Sequence, residues 1–313
     1  MKTSKSRGFV FAFAISFILA IGSNGFLPLQ ANGQKPVIGE AYSAIAPQTL
    51  SLKSRLMARE MPYRIILPGN YKSQAKTRFP VVYLLHGLDG HYDNWTDKTK
   101  VTEYARKYNL IIITPEGNNG WYTDSISTPN DKYESYIIQE LIPEIDAKFH
   151  TLADRDHRII AGLSMGGYGA VKFGLKYADK FSIVGSFSGA LGAATVTDNM
   201  GTRWRLIGDT INSTFGKADS DARKANDVFR LIDEMTSENA KSLPFIYISC
   251  GTEDALSCGT EDALIQSNHD FLALLNRKRI PHEYREHPGA HNWVFWDDQV
   301  REFLAVTDRM IKK

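Results

Sequence analysis

The chain has 313 residues, 43% of them hydrophobic, which is enough to build a sizeable core in one large or two small domains. Lys and Arg number 37 against 35 Asp and Glu, leaving no basic surplus of the kind that grips a phosphate backbone. A globular protein is expected, with nucleic acid excluded as a natural partner.

At the N-terminus Lys2, Lys5 and Arg7 precede the apolar run Phe9 to Ile21, and Gly22-Ser23-Asn24-Gly25 follows it. A charged head, a short apolar body and a polar turn are the plan of a secretory signal peptide. The run is shorter than the ~18 to 20 residues a spanning helix needs, so no stable membrane insertion is expected after cleavage. Residues 1–31 are read as the signal, with cleavage after Gly25 or Ala31, and a periplasmic or extracellular address follows. Its loss removes three basic residues and no acidic ones, leaving 34 against 35. Residues 32–50 lack periodicity and read as a linker or N-terminal arm, and residues 51–313 as a single domain.

Tyr63 to Leu67, Val81 to Leu85, Leu110 to Thr114, Arg158 to Ala161, Phe181 to Phe187 and Phe245 to Cys250 are short apolar runs rich in β-branched residues, and they predict strands. The first two are close enough in sequence to form an antiparallel edge. Tyr133 to Phe149 carries Ile137, Ile138, Leu141, Ile142 and Ile145 at helical spacing. Strands alternating with helix-length segments predict an α/β fold, with a mostly parallel central sheet and helices on both faces. The charged stretch Asn199 to Ser242 exceeds a simple crossover and is read as a partly helical insertion over the C-terminal edge of the sheet.

The chemistry centres on Gly162-Leu163-Ser164-Met165-Gly166. A serine hydroxyl is a poor nucleophile and must be presented to a base and to dipoles that meet an oxyanion. G-x-S-x-G does so through a sharp strand-to-helix turn. Here a strand ends at Ala161 and a helix fits Tyr168 to Tyr177, as that turn requires. In this architecture the base follows the serine and the acid in chain order. His291, in a loop after the last crossover, fits best, ahead of His269, His282 and His287.

The acid should follow a late strand. Residues 250–256 read CGTEDAL and residues 258–264 read CGTEDAL again, so Asp254 and Asp262 compete. Distance from the strand favours Asp254, and distance to the helix expected over Ala263 to Arg277 favours Asp262. Asp254 is preferred, because the strand is anchored in the sheet whereas the helix can slide. Cys250 and Cys258, the only cysteines, form no disulfide scaffold, and a bridge between them is left open.

Two backbone amides should form the oxyanion hole: Met165, next to the nucleophile, and Leu88, in the loop after Val81 to Leu85. His86 precedes the serine and is assigned to tying that loop down through a ring N–H. Trp95, Trp121, Tyr122 and Trp293 are expected to gather at the rim as an apolar substrate pocket. The histidines show neither HExxH nor paired zinc-ligand spacing, so no metal is expected, and acyl transfer to water needs no cofactor.

Taken together, Tyr83-Leu84-Leu85-His86-Gly87, Asn119 to Asp124, Gly162 to Gly169, Ser186 to Ala190, Cys250 to Asp254 and His291-Asn292-Trp293 resemble, in matching order, the putative-esterase family of α/β-hydrolases. That family includes S-formylglutathione hydrolases, acetyl esterases of tributyrin type, feruloyl esterases and mycolyltransferases, and the likeness is greatest to the tributyrin type. The resemblance implies a triad of Ser164, an Asp and His291 with the Leu88 and Met165 amides as oxyanion donors. The doubled CGTEDAL departs from the single family copy. The expected function is an exported serine esterase acting on small-acyl or carbohydrate-linked esters. Alternatives are acyl transfer to a sugar or lipid, thioester hydrolysis on formylglutathione, and a binding protein that kept the fold without catalysis.

Overall fold

The computed structural model describes residues 46–71, 76–196, 202–254 and 263–312. The expected signal segment and its two cleavage points, Cys258 and Asp262 lie outside them.

Eight strands form one sheet: β1 (Gln48–Ser54), β2 (Arg59–Ile66), β3 (Val81–Leu85), β4 (Ile111–Pro115), β5 (Arg158–Leu163), β6 (Ile183–Phe187), β7 (Phe245–Gly251) and β8 (His282–His287). Their order is β1-β2-β4-β3-β5-β6-β7-β8. From β4 to β8 every neighbour is parallel, while β1 and β2 run antiparallel at one edge. All residues of β3, β4, β5 and β6 are buried, because helices cover both faces of a parallel sheet.

The faces can be read from β3. Val81, Tyr83 and Leu85 join one core cluster and Val82 and Leu84 the other. Against the first lie α3 (Tyr133–Tyr136), α4 (Ile142–Lys148), α5 (Met165–Lys176) and α10 (Ala263–Lys278). The second is covered by α1 (Asn94–Lys98), α2 (Val101–Lys107) and α11 (Trp293–Ile311). The insertion between β6 and β7 contains α6 (Thr202–Phe215), α7 (Asp221–Asn226), α8 (Val228–Asp233) and α9 (Ser237–Lys241), so its helical character agrees with expectation. Phe215 packs on Trp121 and Tyr168, which joins α6 to the loop after β4. Among the described residues no helix is long and apolar enough to cross a membrane.

Three sequence expectations change. First, β2 and β3 do not pair: β4 lies between them, antiparallel to β2 and parallel to β3. Fully buried Ile111, Ile112 and Ile113 take the inner position, each burying a side chain worth ~1.5–3 kcal/mol. Second, β1 begins at Gln48, inside the residues assigned to the linker, and runs on to Ser54, with Leu50 and Leu52 turned to the core and Ser51 and Lys53 exposed along an edge. Third, the helix from Tyr133 contains a π turn at Ile137–Leu141. Such a turn shifts the phase of the side chains after it. Before it, Glu134 reaches α5, and within it Glu140 accepts the Arg55 and Leu56 amides of the β1–β2 turn.

Candidate active site

β5 ends at Leu163 and α5 begins at Met165. Between them Ser164 has φ 51° and ψ −116°, a backbone that non-glycine residues rarely adopt. Room for the turn comes from glycine. A Cβ on Gly162 would stand 2.5 Å from the Gly166 carbonyl carbon, and one on Gly166 would stand 2.4 Å from the Leu85 oxygen. Hydrogen bonds fix the turn: the Ser164 N–H donates to the Phe187 carbonyl at 2.9 Å, and the Ser164 carbonyl accepts the Ala190 N–H at 3.0 Å. Ser164 therefore sits at the N-terminus of a 12-residue helix, where the aligned peptide dipoles favour negative charge.

His291 lies between β8 and α11. Its Nε2 is 3.0 Å from Ser164 Oγ and its Nδ1 is 2.8 Å from Asp254 Oδ1. The bonding pattern assigns the proton to Nδ1, which donates to the carboxylate, while Nε2 accepts from the serine hydroxyl. The Asp254 side chain is sealed from solvent and His291 is 18% exposed. Backbone bonds clamp the two loops together: Thr252 N–H donates to His287 O at 2.8 Å and Glu253 N–H to Gly289 O at 2.9 Å. A Cβ on Gly251 would lie 2.2 Å from Gly289 O, so only glycine permits that approach. Burial and the nearby Asp254 charge push the Cys250 thiol well above its ordinary pKa, which leaves a neutral apolar filler.

Of the two candidate acids, Asp254 bonds His291, while Asp262 lies outside the described residues. β7 continues to Gly251, and a short turn, Asp254 N–H to Gly251 O at 3.1 Å, brings the Asp254 carboxylate round to the histidine. His287 instead faces Glu302 at 3.6 Å, His269 bonds Glu286 at 2.8 Å, and His282 is in β8.

The Leu88 and Met165 amides meet no protein acceptor among the described residues. Gly87 is pressed onto the Ser164 turn, for an added Cβ would lie 2.6 Å from Leu163 Cδ1 and 3.4 Å from Ser164 Cβ. His86 is buried, with Nδ1 2.7 Å from Gly87 O and Nε2 facing the Gly117 N–H at 2.9 Å and Glu116 at 3.3 Å. It holds the loop, as expected of it. No group of three or more potential metal ligands occurs among the described residues.

The aromatic pocket requires correction. Trp121 and Tyr122 belong to one core cluster, whereas Trp95 belongs to the other with Trp293 packed beside it. Trp95 and Tyr122 are 0% exposed and Trp121 2%, so all three are core. Trp95 meets Trp293 edge-on at 5.5 Å, and Trp293 meets Trp296 at 5.2 Å. Sequence reading passed over Trp296, whose ring stands edge-on to His291 at 4.8 Å and whose indole N–H donates to Ser188 Oγ at 3.2 Å. Its signal was its place in the first turn of α11, five positions beyond the histidine. Also missed was Lys172, fully buried on α5, which donates to Glu134 at 2.8 Å and to the Tyr122 carbonyl at 2.7 Å. A buried ammonium requires such partners.

A mostly parallel, helix-covered sheet with a serine on a strained turn at the end of a central strand defines an α/β-hydrolase. The chain belongs to the putative esterase family, whose model matches residues 54–305. It is 27% identical over 265 residues to an acetyl esterase of Caldicellulosiruptor saccharolyticus, covering 82% of this chain and 96% of that one. It is 29% identical over 255 residues to an esterase of Mycobacterium tuberculosis, spanning 76% of this chain and about half of the relative, 53%. Among solved structures, the fluorophosphonate-binding serine hydrolase F of Staphylococcus aureus superposes with a TM-score of 0.71 at 26% identity, covering 85% of this chain and 98% of that one.

Proposed function

We propose that the protein is an exported serine esterase that hydrolyses carboxylic esters through an acyl-enzyme on Ser164. The observation that carries this reading is the continuous relay from Asp254 through His291 to Ser164, with contacts of 2.8 and 3.0 Å. In the forward step His291 Nε2 takes the hydroxyl proton as Ser164 Oγ bonds to the ester carbonyl carbon. Asp254 holds the tautomer and stabilises the imidazolium. The carbonyl oxygen becomes an oxyanion and takes hydrogen bonds from the Leu88 and Met165 amides, aided by the N-terminus of α5. Collapse expels the alcohol with the proton from His291. Water then repeats the sequence and releases the acid.

Small-acyl esters are the favoured substrate class, supported by the acetyl esterase relative, with carbohydrate-linked esters as the wider class. Residues 1–31 act as the export signal, and the mature enzyme works in the periplasm or outside the cell. A fluorophosphonate probe should label the wild type at Ser164, and Ser164→Ala should abolish both labelling and turnover of a nitrophenyl ester. An unlabelled wild type, or full activity in Ser164→Ala, removes the assignment. Esters of graded acyl length define the acyl preference.

A further inference from the structure

We propose that Tyr122 is a positioning residue for the oxyanion loop, brought there by a strained turn that the buried Lys172 holds in place. The inference rests on the reading that the Leu88 amide is an oxyanion donor.

Three consecutive carbonyls of that loop each accept from a different side chain. Trp95 Nε1 donates to Leu85 O at 3.1 Å, the Tyr122 hydroxyl to His86 O at 3.0 Å, and His86 Nδ1 to Gly87 O at 2.7 Å. A trans peptide is planar, with its N–H directed opposite to its C=O. The bond to Gly87 O therefore sets the direction of the Leu88 N–H. The bond to His86 O sets the preceding plane, and the torsions joining the two planes belong to Gly87, which has no Cβ to restrict them. An external latch is needed at that point, and the Tyr122 hydroxyl supplies it. Burial keeps the phenol pKa well above its ordinary value, so the oxygen remains a donor. With Tyr122 0% exposed, the residue acts through the loop and not on substrate.

The delivery is strained. Trp121 and Tyr122 are consecutive non-glycine residues at φ 51° and 50°, a conformation that persists only where the surroundings over-determine it. Lys172 supplies part of that restraint, bonding the Tyr122 carbonyl and the Thr123 hydroxyl while Glu134 neutralises it. Two glycines complete the slot: a Cβ on Gly117 would lie 2.4 Å from the Tyr122 ring, and one on Gly169 2.7 Å from it. Two of the aromatics expected to line a pocket, Trp95 and Tyr122, thus find a different use.

The test is Tyr122→Phe in the full chain, which keeps the ring and removes the donor. With nitrophenyl acetate, kcat should fall about ten- to hundredfold, below the loss for removing an oxyanion donor outright, while KM stays within about twofold. The affinity for an alkyl trifluoromethyl ketone, whose Ser164 adduct places an oxyanion in the hole, should weaken by a similar factor. Tyr63→Phe removes a buried hydroxyl that has no hydrogen-bond partner and should leave both values unchanged. Thr123→Val, which takes one partner from Lys172 at similar volume, should lower kcat several-fold in the same pattern. Wild-type kcat and ketone affinity in Tyr122→Phe, even with a lowered melting point, make the residue core packing and overturn the proposal. Wild-type kcat in Thr123→Val overturns the link to Lys172. An unlabelled wild type in the fluorophosphonate assay instead defeats the underlying esterase reading.

Discussion

Asp254 and His291 are 37 positions apart in the chain, yet Oδ1 of one lies 2.8 Å from Nδ1 of the other, and the carboxylate is out of reach of water. Neutralising it should leave the imidazole in the wrong tautomer. Asp254→Asn is expected to lower kcat by about 10⁴. Asp262→Asn, in the duplicate copy, should retain kcat within about twofold and shift stability by no more than ~0.5 kcal/mol. Steady-state kinetics of both variants on one nitrophenyl ester decides the matter. A loss confined to Asp262→Asn would move the acid to the second copy, and equal losses would remove the assignment to Asp254 alone.

Gly166 offers a test of the Ser164 turn. A methyl there would meet two backbone oxygens, Leu85 O at 2.4 Å and His86 O at 2.6 Å, neither of which can swing aside. Gly166→Ala should destabilise the fold by at least ~1–3 kcal/mol and depress activity further by displacing the oxyanion loop. Gly208, on α6 with nothing within 4 Å of an added Cβ, should behave oppositely. Gly208→Ala is expected to be neutral or to stabilise by up to ~1 kcal/mol through helix propensity. Denaturant unfolding of the pair measures both.

Glu134 carries a pH signature. Burial raises its pKa, but the charges of Lys172 and Lys176 and their hydrogen bonds prevail and hold it at about 2, against an ordinary 4.5. A carboxylate depressed on folding stabilises fully above its unfolded value, and that contribution is lost as pH falls through the folded one. The stability advantage of wild type over Glu134→Gln should therefore be fully present just above pH 4.5, where Lys172 is still charged, and shrink toward pH 2. Lys172 has the opposite sense. Burial lowers its pKa to about 8 from 10.5 despite Glu134, so its cost to folding is present below pH 8 and relieved as pH rises toward 10.5. Thermal melts of the variant and wild type across this range check both signs, and a pH-independent difference would contradict the first.

Export is testable on the mature N-terminus. Expressed in a bacterial host, the secreted protein should begin at residue 26 or 32, after Gly25 or Ala31. Intact-mass measurement distinguishes the two, and a protein retained with Met1 in place would refute the export reading.

Periodicity revealed buried strands well and their neighbours poorly. β3 to β7 stood out because a strand covered on both faces must be apolar throughout. β8 was overlooked because His282-Glu283-Tyr284-Arg285-Glu286-His287 is an edge, half-exposed on most positions, and an edge strand tolerates charge. β2 and β3 were paired by proximity in sequence, yet pairing is decided by which strand fills the middle, and apolar β4 does. The aromatics misled for a related reason: composition marks Trp95 and Tyr122 as large and apolar, but whether such a ring meets a ligand or a core depends on what covers it.

The amino-acid sequence by itself determined the α/β class and singled out the serine, the histidine and the two amides proposed for catalysis, because these depend on local chemistry: glycines that permit a sharp turn, a strand before it and a helix after it. Only the tertiary structure decided that Asp254 meets His291 and that Trp95 and Tyr122 bond the Leu85 and His86 carbonyls. Those relations join segments distant in the chain, and their geometry is set by the order of strands in the sheet and by the side chains that close over each face.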